Sequence, residues 1–146
     1  MADFYGSIII EKPLEEVFEY ASSMEHAPKY MPAVNRMEKL TWDEVGVGSK
    51  FMETRWIRGK EVEAEVEIIK FEPNRSFSTK TNSNGLVTIY EYNFEEIVEG
   101  TQVQFKAYVQ TKGFMMKLTK GLLVKMLSAE EDGHLRNLKE LLEDHQ

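Results

Sequence analysis

Few side chains in this sequence could do chemistry. Cysteine is absent, which removes thiol nucleophiles, disulfides, Cys-ligated zinc and iron–sulfur clusters together. Three histidines remain. As a general base, His26 would need a carboxylate partner inside a cavity, and adjacent Glu25 points elsewhere, so His26 reads as a surface residue. His134 follows Glu130 by one helical turn, beside Glu131 and Asp132. One His and one carboxylate are at most half a metal site, and no second His stands at ligand spacing. No metal and no cofactor are therefore expected. His145 lies at the tail, where chains fray. Gly46-Val47-Gly48 lacks the following Lys and the strand–loop–helix setting of a phosphate loop, and reads as a hairpin turn.

Two groups of larger side chains have two readings each. Tyr90 and Tyr92 share one face of a strand, either as a core pair whose hydroxyls find water or backbone, or as polar anchors in an apolar cavity. Met115, Met116 and Met126 are either plain core or a wall that adapts to its ligand, and side-chain direction decides. Glu61, Glu63, Glu65 and Glu67 alternate with Val62, Ala64, Val66 and Ile68. That pattern is a solvated strand face rather than a catalytic carboxylate array.

The elements that position these residues follow from periodicity. Residues 4–11 read as a strand. Pro13 fits the first turn of a helix whose Leu14, Val17, Phe18 and Ala21 make one apolar stripe, with Glu15 and Glu16 against the positive end of its dipole. A second short helix spans about Glu25–Tyr30, ending before Pro32. From Val34 to Gln110 the period is two. A tight hairpin at Arg58-Gly59-Lys60 sets Arg55 opposite Glu63 and Trp56 opposite Val62, which turns Met52, Thr54 and Trp56 inward; a three-residue loop reverses this. Arg75–Thr81 is a strand and Asn82-Ser83-Asn84-Gly85 a turn. Thr88, Tyr90, Tyr92 and Phe94 share a face, as do Val103, Phe105, Ala107 and Val109. From Gly113 onward the chain reads as helix. Met115, Leu118, Leu122 and Met126, then Leu135, Leu138 and Leu142, form its stripe, and Gly121 and Gly133 mark a bend, a break or a close approach.

Composition bounds the rest. The 146 residues make one domain, 1–146, with ordinary apolar (42%) and charged (29%) content. No apolar run reaches membrane-spanning length, and Met1–Tyr5 lack the features of a secretory signal, so a cytoplasmic location is expected. A net charge of −7 makes nucleic acid a poor partner. Lys112, Lys117, Lys120 and Lys125 read as a solvated helix face, at most a weak contact to an anionic membrane without stable insertion.

This order of elements resembles the START-like (SRPBCC) superfamily of helix-grip proteins, and within it the bacterial polyketide cyclase/dehydrase-like branch. The resemblance rests on Ser7-Ile8 through Pro13, Glu16-Val17-Phe18, Tyr30 with Pro32, Gly46-Val47-Gly48, Phe71-Glu72-Pro73-Asn74-Arg75, Tyr90–Phe94, Gly100-Thr101 and Leu135-Arg136-Asn137-Leu138-Lys139. Ser23 stands where the family usually has Asp before the second helix. The resemblance implies an α+β, Bet v 1-like fold. A curved antiparallel sheet of about seven strands wraps a long C-terminal helix, with two short helices after the first strand and a cavity between sheet and helix. Members bind lipids, sterols, polyketides and hormones, and a few are cyclases or dehydratases.

The expected function is binding or transport of a small apolar or amphipathic molecule, with no chemistry of its own. Trp56, Tyr90, Tyr92, Phe105, Met115, Leu118, Leu122 and Met126 would line the cavity. The alternatives are a cyclase- or dehydratase-type enzyme that uses a Tyr or Arg55 as donor, and an interaction module that uses the outer sheet face. An inward Arg, His or Glu within reach of a Tyr favours the enzyme, a wholly apolar cavity favours carriage, and a filled core with an exposed apolar patch favours the module. Oligomeric state is not legible.

Overall fold

The computed structural model describes residues 1–57, 59–83, 85–112 and 120–144, the side chain of Ile57 excepted. The alternating segments form seven strands: β1 (Phe4–Ile10), β2 (Val34–Lys39), β3 (Lys50–Ile57), β4 (Lys60–Glu72), β5 (Ser76–Ser83), β6 (Leu86–Ile97) and β7 (Gly100–Thr111). They build one sheet in the order β1-β7-β6-β5-β4-β3-β2, every neighbouring pair antiparallel. From β2 to β7 each strand pairs with the next in sequence. The chain between β1 and β2 carries α1 (Leu14–Ser22), a 3₁₀ turn (Met24–His26) and α2 (Ala27–Tyr30), taking the chain from one sheet edge to the other.

Pro13 stands immediately before α1, and Glu15 and Glu16 fill its first turn. The helix buries Val17, Phe18 and Ala21, the stripe its spacing dictates. The Phe18 ring meets Phe94 at 5.1 Å, Phe71 at 5.5 Å and Phe77 at 6.0 Å, each edge to face. Ile10, Val103, Leu138 and Leu142 belong to the same continuous core.

Among the described residues the C-terminal region holds two helices, α3 (Lys120–Glu130) and α4 (His134–Asp144), joined by a turn at residues 131–133; the helix expected from Gly113 lies outside them as far as residue 119. Gly133, at φ 82°, supplies the left-handed conformation that breaks the helix, while Gly121 lies within α3. Leu135, Leu138 and Leu142 of α4 are buried, whereas in α3 the buried residue is Leu127 alone. No described helix is long and apolar enough to cross a membrane.

The β3–β4 hairpin corrects the expected register. Ile57 pairs with Lys60, which leaves two residues at the tip, Gly59 among them at φ 78°. Arg55 therefore faces Val62, Thr54 faces Glu63 and Trp56 faces Glu61. One residue of slip turns every side chain over. Glu53 and Arg55 point to the concave face with Val62 and Ala64, and Trp56 lies outside, 55% exposed. Thr54 is buried without reaching the cavity described below. On β4, Glu61, Glu63 and Glu65 are exposed and Glu67 half-buried, as a solvated face requires. The β5–β6 turn is also tighter than expected, because Ser83 pairs with Leu86 and so stays in the strand.

Candidate functional site

Beneath α3 the concave face leaves a cavity of about 100 Å³. Its walls are Glu53 and Arg55 of β3, Val62, Ala64 and Val66 of β4, Phe77, Thr79, Thr81 and Ser83 of β5, and Leu86, Thr88, Tyr90 and Tyr92 of β6. Met126, Leu127 and Glu130 of α3 roof it, and Met24, Tyr30, Met31 and Met37 close one side. The alternation of each strand explains the set. Thr79 pairs with Tyr90 and Thr81 with Thr88, so a strip of hydroxyls runs along the middle of an otherwise apolar wall.

One end of the cavity is ionic. Arg55, with 11% of its side chain exposed, donates from Nε to Glu53 Oε1 at 2.6 Å and from Nη1 to Glu130 Oε1 at 3.0 Å. Its Nη2 donates to Glu131 Oε2 at 3.0 Å and to Glu53 Oε2 at 3.4 Å. Burial alone would ease the proton off this guanidinium, but Glu53 and Glu131 more than reverse that, and Arg55 stays charged. Burial raises the Glu130 pKa above the usual carboxylate range against the pull of Arg55, and the neighbouring Glu131 and Glu53 add to the rise. Three carboxylates on one guanidinium leave the cluster formally two negative charges in excess. Among the described residues, no group of three or more His, Asp or Glu side chains is placed to hold a metal ion.

A second polar chain runs behind the first. The turn that ends α3 carries Glu131, and its carbonyl accepts from His134 Nδ1 at 2.8 Å. That contact assigns the Nδ1–H tautomer and leaves Nε2 as acceptor for the Tyr92 hydroxyl, 3.2 Å away. Burial lowers the pKa of His134, which is 2% exposed, so the ring is neutral. Burial also pushes the Tyr90 and Tyr92 phenols well above their ordinary range, and the carboxylate of Glu131 adds to both. Both stay protonated. Glu131 Oε1 is buried and accepts no hydrogen bond.

Of the residues expected at the cavity, Tyr90, Tyr92 and Met126 line it. Phe105 is buried in the core beside them, its ring 5.2 Å from Tyr90 and 4.6 Å from His134. Trp56 and Leu122 do not reach the cavity. Trp56 is on the outer face through the hairpin register, and Leu122 is 67% exposed on the solvent side of α3. Met115 and Leu118 lie outside the described residues. Sequence reasoning misses the ionic end in part because the wrong turn parity puts Glu53 and Arg55 outside. His134, which reads as half a metal site, is instead buried because the helix breaks one residue before it. His26 stacks on Tyr20 at 4.0 Å, away from the cavity, with Nδ1 3.0 Å from the Tyr20 carbonyl.

Residues 1–143 match the family described as polyketide cyclase / dehydrase and lipid transport. Among curated proteins none matches significantly. Among solved structures, TTHA0849 from Thermus thermophilus superposes with a TM-score of 0.77 at 18% identity, covering 97% of this chain and 98% of its own. The di-domain ARO/CYC protein StfQ from the steffimycin biosynthetic pathway gives 0.78 at 16% identity, covering 97% of this chain and 50% of StfQ. Ara h 8.0201 gives 0.70 at 15% identity, covering 97% of each chain. At such identities the likeness is one of fold.

Proposed function

Since the chain belongs to the polyketide cyclase / dehydrase and lipid transport family, we propose that it binds a small amphipathic molecule in the cavity under α3. The observation that carries this reading is the cavity itself, about 100 Å³ with an apolar body, a strip of hydroxyls and one ionic end. Apolar walls with a few placed polar groups are the usual makeup of a ligand site. The size restricts the occupant. An engineered apolar hollow of about 150 Å³ is enough for benzene. A smaller cavity takes a compact molecule, or one end of a longer one.

The test is native mass spectrometry of protein purified from its host, together with a thermal-shift screen of small fatty acids, phenols, amines and polyketide-like aromatics. A true ligand at a hundredfold excess over its Kd should stabilise the fold by about 2.7 kcal/mol. Absence of any shift and of any co-purified molecule would defeat the reading.

A second reading, an enzyme of the cyclase or dehydratase type, is favoured by one observation. Tyr92 faces the cavity with its hydroxyl on His134 Nε2, an inward tyrosine with a histidine in reach. Tyr92 could then turn its single hydroxyl proton from His134 Nε2 to a carbonyl oxygen of a bound polyketide-like chain, exchanging one hydrogen bond for the other. If this is right, Tyr92→Phe and His134→Gln abolish turnover of a poly-β-ketone substrate and keep its binding. Loss of binding and turnover in parallel would return both residues to a binding role.

A further inference from the structure

Resting on the binding reading above, we propose that the molecule this cavity takes is a small amphipathic amine. Its protonated nitrogen is held by the carboxylates of Glu53 and Glu130 beside Arg55, and its apolar body lies against Tyr90, Tyr92 and Met126. The argument starts from what Arg55 can still offer. A lone arginine in a cavity wall ordinarily marks a site for a carboxylate or phosphate. Here four hydrogen bonds already run from it to three glutamates. It is the sole Lys or Arg among the described lining residues. An anion entering the cavity would find the guanidinium enclosed and would meet a surplus of negative charge.

A cation meets the reverse. Glu53 and Glu130 both line the cavity, and each carboxylate has lone pairs beyond those directed at Arg55. Glu131, whose Oε1 is buried without a hydrogen bond, adds its charge from behind the wall without lining the cavity. An ammonium brings three donors and a positive charge and no acceptor, which is what an acceptor-rich, negatively biased wall lacks. The aromatic rings of Phe77, Tyr90 and Tyr92 on the same wall give a cation and its adjoining methylenes a favourable surface. The hydroxyls of Thr79, Thr81 and Thr88 neither favour nor oppose charge, so the carboxylates decide.

The experiment is a matched series of isobutylamine, isobutanol and isobutyrate, alike in carbon skeleton, different in charge and compact enough for the cavity, titrated calorimetrically at neutral pH. Isobutylamine should bind about tenfold more tightly than isobutanol, and isobutyrate most weakly. Glu130→Gln and Glu53→Gln, each checked for an intact melting transition, should narrow the amine-to-alcohol gap at least severalfold, and Glu63→Gln on the outer face should leave it in place. Should either cavity variant fail to fold, the gap in the other and in the unaltered protein still decides. Equal or tighter binding of the alcohol overturns the amine assignment and leaves the binding reading standing. Tightest binding of isobutyrate overturns it too, and makes Arg55 the receptor. If none of the three binds but the wider screen finds an apolar ligand, the amine assignment alone falls. If nothing binds at all, both fall.

Discussion

At the α1–α4 end of the sheet, the concave face is closed by rings and leucines: Phe18 among Phe71, Phe77 and Phe94, with Leu138 and Leu142 in the same core. At the α3 end it is closed by one arginine on three glutamates and by a tyrosine on a histidine, and a cavity remains. The two ends share strands. β5 contributes Phe77 to both and Thr79, Thr81 and Ser83 to the second alone. Apolar packing is tolerant of direction and fills space. Ion pairs and hydrogen bonds demand direction and leave space between them. One sheet thus becomes solid at one end and hollow at the other, because inward positions change from Phe77 to Thr79 and Thr81 along β5 and from Phe51 to Glu53 and Arg55 along β3.

The contrast can be broken by substitution. Phe18→Ala should cost about 3–5 kcal/mol in urea denaturation, because a well-packed ring leaves a void. A loss below 1 kcal/mol would mean that this end is not the solid one. Arg55→Met should cost about 3 kcal/mol by stranding three glutamates. Adding Glu131→Gln to it should recover part of that loss, since one fewer charge is stranded. At the packed end no second truncation should recover anything, and full additivity at the ionic end would contradict the network.

Acid response sharpens the contrast further. His134 is neutral in the fold with a pKa held below its ordinary 6.5, so the unfolded chain takes up the proton first. Its share of stability is complete above pH 6.5 and is lost as the pH falls from there through the lowered value. Glu130 works in the opposite sense. Its pKa is raised from 4.5, so falling pH favours the fold between that raised value and 4.5. His134→Gln should flatten the loss below pH 6.5 in denaturation midpoints, and an unchanged slope would place the acid sensitivity elsewhere. The smallest effect belongs to the outer face of the sheet. Glu63→Gln should move stability by less than about 0.5 kcal/mol, since the residue is solvated. A loss of 2 kcal/mol would mean that Glu63 has a partner.

These ends were legible in the sequence to different degrees, for a physical reason. The α1 stripe, the β6 row Thr88–Tyr90–Tyr92–Phe94 and the β7 row Val103–Val109 are local patterns set by helix or strand period. The strands at Glu61–Ile68 and their solvated glutamates follow likewise. Arg55 and Trp56 are different. Which of them faces inward depends on whether two or three residues turn the β3–β4 hairpin, and a difference of one residue at the tip is invisible to alternation within the strand. The signal lay in Gly59, since a glycine at positive φ suits a two-residue loop. His134 needed the helix break at Gly133, and Glu130 and Glu131 needed a partner 75 and 76 residues away. Such contacts have no period to announce them.

That separation has a temporal consequence. The strands β2 to β7 pair with their sequence neighbours and can zip from hairpin to hairpin, each closing a short loop. Arg55 can grip Glu130 and Glu131 only after that sheet exists and the C-terminal helices have come down on it. Interactions made after the rate-limiting step leave the folding arm of a chevron unmoved and set the unfolding arm. Arg55 ties the α3 end to β3 through two hydrogen bonds on a single side chain, so Arg55→Met should speed unfolding more than it slows folding.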